Sequence, residues 1–108
     1  MEKLYVIVRG NLPAGAQCAQ ACHALRAFVG EHPALDAAWH GAHNNLVVLA
    51  CRDEAELLQL QARARELDAP TAVFQEPDFD MQHTALAVAG TPAVQKMLSQ
   101  LPLALKAA

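Results

Sequence analysis

Long apolar runs are missing from this chain. None approaches the 18 or more residues that a membrane-spanning helix needs. The opening Met-Glu-Lys-Leu-Tyr lacks a basic segment followed by a long apolar region, so no signal peptide is expected. These absences point to a soluble, cytoplasmic protein with no membrane partner. Basic residues are scarce. Eight Lys and Arg face eleven Asp and Glu, for a formal net charge of -3 and a pI near 5.9. Nucleic-acid surfaces usually carry a basic patch. Here only Arg9, Arg26 and Arg52 are placed to gather at one sheet edge, a modest phosphate clamp, and no DNA partner is expected. The three cysteines, Cys18, Cys22 and Cys51, are an odd number and match no zinc-ribbon or finger spacing, so buried free thiols are expected. His40 and His43 are three apart but find no third ligand. Neither a metal nor any other cofactor is expected. No Ser-His-Asp order and no phosphate-binding glycine loop occurs.

What is present is enough apolar material for a core. The 108 residues are 54% hydrophobic and 18% charged, the size of one domain and not the composition of a disordered one. Leu4–Val8 reads as a strand buried on both faces. A helix over residues 14–29 follows, ended by Gly30, and Pro33 prevents its resumption. Leu35, Ala38 and Trp39 mark a short helical stretch, with Trp39 a lid over the first helix. Leu46–Cys51 reads as a second buried strand. Asp53 caps the next helix, with Glu56 completing a capping box. That helix runs to about Leu67 on a stripe of Leu57, Leu60, Ala64 and Leu67. Thr71–Phe74 and His83–Val88 are two further strands. The link between them is too short for a parallel crossover, so as neighbours they are antiparallel. A last helix covers about Ala93–Leu101, and the tail from Leu103 to Ala108 is expected to fray. This order predicts a three-layer α/β/α domain with a mixed four-stranded sheet.

Residues 9–24 concentrate the chemistry. A strand, a loop holding Gly10, Pro13 and Gly15, and a helix N-terminus meet at the carboxyl end of the strand, where open α/β sheets bind ligands. At 100° per residue, Cys18, Ala21, Cys22, Leu25, Phe28 and Val29 share an apolar stripe that should face the sheet. The far side carries Ala16, Ala19, Gln20, His23 and Ala27. Gln20 and His23, three apart, are surface neighbours on it. A small-walled face with one amide and one imidazole suits close approach by a substrate or a second chain.

These residues resemble the first motif of the peptidyl-tRNA hydrolase 2 family, roughly Arg-x-Asp-Leu, a short loop, then Gly-Lys-x-x-Ala-Gln-x-x-His-Ala. Arg9, Leu12, Gly15, Ala19, Gln20, His23 and Ala24 match it; Asn11 stands for the family's acid and Ala16 for its lysine. Glu76-Pro-Asp-Phe-Asp-Met-Gln-His-Thr84 is similar to the family's segment between the last two strands, with Asp78 and Thr84 the best-matched positions. The likeness runs over about residues 3–92. It implies a similar fold, often a homodimer, and hydrolysis of the ester joining a peptide to the 3′ end of tRNA, or of a related acyl or nucleotide substrate. His23 would then accept the proton, since histidines ionise near neutrality. Asp78 would orient it or position the water, and Thr84 would donate to the substrate oxygen. Gln20 would bind the substrate amide or ribose and Arg9 a phosphate, with Asn11 in the same substrate-binding set. The departures at Asn11 and Ala16 leave a second reading: a binding or regulatory module of the same fold, recognising a nucleotide, an aminoacyl group or a protein partner.

Overall fold

The computed structural model describes residues 1–106. Its sheet has the order β2-β1-β4-β3. The strands are β1 (Lys3–Arg9), β2 (Asn45–Cys51), β3 (Thr71–Glu76) and β4 (Gln82–Gly90). β2 runs parallel to β1, while β4 is antiparallel to both β1 and β3. The mixed four-stranded sheet and its antiparallel closing pair are as the element order requires. Helices α1 (Ala14–Glu31) and α2 (Pro33–Ala42) cover one face, α3 (Glu54–Glu66) and α4 (Pro92–Leu98) the other. Among the described residues no helix is long and apolar enough to cross a membrane.

Alternation along the central strands builds two unlike cores. Leu4, Val6 and Val8 of β1 and Ala85, Ala87 and Ala89 of β4 meet Ala24, Phe28 and Trp39 on the α1 side. Tyr5, Ile7, Leu86 and Val88 meet Leu57, Leu60, Ala64, Val94 and Leu98 on the other. The alanine row on β4 lets α1 sit close to the sheet. Trp39 is buried as a lid on this layer, and its Nε1 donates to the Asn45 carbonyl. Asp53 caps α3 by accepting from the Glu56 N–H at 2.9 Å, and Glu56 reaches back to the Arg52 N–H.

Several sequence expectations are corrected. Gly30 does not end α1. It keeps a negative φ, and the helix continues to Glu31. The stop comes at His32, which the following proline forces out of helical geometry at φ -131°. The face of α1 turned to the sheet is Gln17, Gln20, Ala24 and Phe28, about a quarter-turn from the predicted apolar stripe. Cys18 and Cys22 are therefore exposed, and only Cys51 is buried. β2 is an edge strand, half exposed along its length, and Leu67 is exposed at the end of α3. α4 stops at Leu98. The tail from Pro102 to Ala104 does not fray but pairs with β2: the Ala50 N–H donates to the Pro102 carbonyl and the Ala104 N–H to the Val48 carbonyl. The last two residues of the expected fraying segment lie outside the described ones.

Cys51 shows what burial does to a thiol. Desolvation, aided by the Glu56 carboxylate, pushes its pKa up to about 11 from 9.0. A raised acid pKa leaves stability intact below the unfolded value and removes it as pH climbs through the folded one. We expect roughly 2–3 kcal/mol of stability to be lost between about pH 9 and 11, and Cys51→Ala to flatten that fall. Urea unfolding across that pH range measures it.

Candidate active site

A break in strand register sets the geometry of the site. Phe74 of β3 pairs with Ala85 of β4, but Gln75 pairs with His83, so Thr84 has no partner opposite it. A bulge of this kind re-aims a side chain. By strict alternation Thr84 would share the α3 side with Leu86 and Val88. Instead its hydroxyl donates to Gln20 Oε1 of α1 at 2.6 Å. Gln20 Nε2 donates in turn to Glu76 Oε1 at 3.0 Å, at the end of β3. Thr84 and Gln20 are almost fully buried, at 0% and 2% exposure. Gln20 is thus no surface neighbour of His23. It is the middle of a relay that runs from β4 through α1 to β3, buried at Thr84 and Gln20 and half-buried at Glu76. Among the described residues every buried side-chain polar atom has a partner, which is what makes an amide tolerable under the helix.

His23, one turn further along α1, is exposed. Its ring stacks on Phe74 with centroids 4.5 Å apart and an interplanar angle of 17°. The imidazole is thereby held flat against the sheet edge with its rim open to solvent. Asp78 is exposed in the 3-10 turn Pro77–Phe79, two residues beyond Glu76. The turn is closed by the Met81 N–H donating to the Glu76 carbonyl. Asp80 and Met81 both take left-handed backbone angles there, at φ 53° and 60°. Aspartate adopts that region readily, methionine seldom.

Arg9 belongs to a second cluster, reached across β4. The guanidinium is buried. Nε donates to Asn11 Oδ1 at 3.1 Å, and Nη1 to Gln82 Oε1 at 2.8 Å and the His83 carbonyl at 3.4 Å. On the α3 side, Glu54 Oε2 accepts from the His83 backbone N–H at 2.7 Å. That bond is the main reason the Glu54 carboxyl is held below its ordinary range, with the His83 ring and the Arg9 charge adding to it. The loop before α1 is braced by Gln17, whose Nε2 donates to the Gly10 and Leu12 carbonyls. No side chain caps the N-terminus of α1.

The six residues singled out from sequence therefore fall into three places. Gln20 and Thr84 touch. Arg9 and Asn11 touch. His23 lies on Phe74, and Asp78 sits in the adjoining turn. Sequence reasoning missed Glu76, Gln17, Gln82 and Phe74 as parts of the site. Only Glu76 carried a signal, as the first acid of the second motif. The chemistry on offer is an accessible imidazole beside a hydrogen-bond relay that is buried at Thr84 and Gln20. Thr84→Val and Gln20→Leu should each cost about 1–3 kcal/mol, because each leaves a buried partner unsatisfied. The double variant should lose less than the sum, with a coupling of about 0.5–3 kcal/mol. A double-mutant cycle of urea unfolding reads it.

A family model described as peptidyl-tRNA hydrolase PTH2 matches residues 2–107 of this chain. No curated protein sequence matches it significantly. Among solved structures, a protein of unknown function from Agrobacterium tumefaciens aligns with a TM-score of 0.68 at 18% identity, over 94% of this chain and 96% of that one. At that identity the likeness is one of fold.

Proposed function

This chain belongs to the peptidyl-tRNA hydrolase PTH2 family, and on that premise we propose that it cleaves the ester joining a peptide to the 3′ end of tRNA. The observation that carries the reading is an open, stacked His23 next to the Thr84–Gln20–Glu76 relay. His23 takes the proton of the attacking water, a role a histidine can fill near neutral pH. Asp78, on the neighbouring turn, positions that water or the ring. Thr84 already donates its hydroxyl hydrogen bond to Gln20, so its part is to fix the amide. Gln20 and Thr84 hold the shape of the floor on which the acyl group rests. Arg9 and Asn11 brace the end of the sheet. Anionic groups of the tRNA meet the uncapped N–H groups that open α1, a usual anion site.

A second reading has its own observation. The family's lysine is Ala16 here, so that position supplies no cation to a developing oxyanion. One such donor is often worth about 3 kcal/mol. A module that recognises the acylated tRNA end without cleaving it is consistent with that loss. Turnover of peptidyl-tRNA by the purified chain, followed as free tRNA across a salt series, separates the two. The enzyme reading expects tRNA release well above the protein-free rate, with a shallow salt dependence because few cations face the ligand. Binding of tRNA without release would support the module instead.

A further inference from the structure

An apolar cavity of about 210 Å³ lies between α1 and the β2 edge, away from the Thr84–Gln20 relay. It exists because α1 turns its glutamine ridge, not its apolar stripe, to the sheet. Val6, Val48, Leu25 and Ala104 form part of its wall, and Cys18 and Cys22 both line it. Both thiols are exposed. The proposed hydrolytic chemistry uses neither.

Side chains four apart on a helix have Cβ atoms about 5–6 Å apart. A disulfide needs about 3.5–4.5 Å, so oxidising this pair would require α1 to unwind. It cannot do so cheaply, because Gln17 and Gln20 anchor the same turn to the loop and the sheet. One atom bonded to both sulfurs, at the roughly 2.3 Å of a zinc–thiolate bond, spans the gap without that distortion. Zinc itself wants four ligands. Among the described residues no third histidine, cysteine or acid joins the pair. The centre that fits is soft, content with two thiolates, and carries an apolar substituent as its third bond.

We propose that Cys18 and Cys22 form a two-thiol site for monosubstituted trivalent arsenicals, with the organic group entering the cavity. In the binding step R–As(OH)2 reacts with two Cys–SH groups to give R–As(S–Cys)2 and two waters. Two As–S bonds and two O–H bonds form, two As–O and two S–H bonds break, and arsenic stays trivalent. No oxidant or reductant is involved.

The test uses phenylarsine oxide, which hydrates to the phenyl compound of this class, with the purified chain. Intact-mass spectrometry should show one adduct per chain, with Cys18 and Cys22 protected from alkylation. Cys18→Ser and Cys22→Ser should each weaken binding a hundredfold or more, because the chelate advantage is lost, while Cys51→Ala leaves it unchanged. A dithiol such as 2,3-dimercaptopropanol should strip the adduct and a monothiol should not. Unfolding midpoints near the wild type confirm that the serine variants fold. Inorganic arsenite, with no organic group to bury, should bind at least tenfold more weakly. Single-serine variants that bind like the wild type, or an adduct removed by a monothiol, would overturn the two-thiol site. Equal affinity for arsenite and the phenyl compound would overturn the role of the cavity.

Discussion

His23→Ala is expected to slow peptidyl-tRNA hydrolysis by about 10²–10⁴-fold, the usual range for removing a positioned general base. Stability should move little. The ring is exposed, and a stacked aromatic contact such as that with Phe74 is worth about 0.5–1.5 kcal/mol. The separation of the two effects is the point of the experiment. No buried partner depends on the imidazole, so a lost rate cannot be put down to a lost fold. Single-turnover rates beside a urea titration of both proteins provide the comparison. A variant that hydrolyses at the wild-type rate would move the base elsewhere, with Asp78 the next group to replace.

Phe28→Ala should give the largest loss of stability, about 3–5 kcal/mol. Phe28 is fully buried at the centre of the α1 layer. The cost of such a truncation depends on how far the surroundings collapse into the space left behind. Here the facing row on β4 is Ala85, Ala87 and Ala89, which have no side-chain atoms to swing inward, so the cavity stays open. A domain of this kind has about 5–15 kcal/mol in total. Thus the variant should sit close to its unfolding threshold, with a much lower urea midpoint and an unchanged slope. A drop below about 1 kcal/mol would mean that α1 can settle toward the sheet after all.

The elements that were legible in the sequence are those whose signal is local. The all-apolar run of β1, the Asp53 cap and the short link between β3 and β4 each act within a few residues. Together they give the mixed sheet with two helical layers. The rotation of α1 was not legible for a physical reason. Hydropathy ranks Cys18, Cys22 and Leu25 above Gln17 and Gln20. A buried amide costs little once its hydrogen bonds are made, and its partners, Thr84 and Glu76, come from the distant end of the chain. The bulge at Thr84 is of the same kind. Nothing in Gln-His-Thr-Ala announces that the pairing skips a residue, because that depends on the register β3 adopts opposite it. Arg9 reads as a phosphate contact from its charge and the motif position it matches. Here its Nε and Nη1 donate to Asn11, Gln82 and the His83 carbonyl, and the two β4 partners lie too far along the chain to be read from it. Asn11 keeps a neutral partner for Arg9 where the resembled motif has an acid. The sequence shows that substitution, but only the structure shows which bond it serves.

The central claim is that this chain hydrolyses peptidyl-tRNA. The most direct measurement is single-turnover cleavage with the protein in large excess over a labelled peptidyl-tRNA, so that weak binding by an acidic protein does not limit the signal. Release of tRNA should follow a single exponential, at a rate that saturates with protein and stands at least a hundredfold above spontaneous hydrolysis. Release no faster than in buffer, at protein concentrations where the tRNA is demonstrably bound, would contradict it.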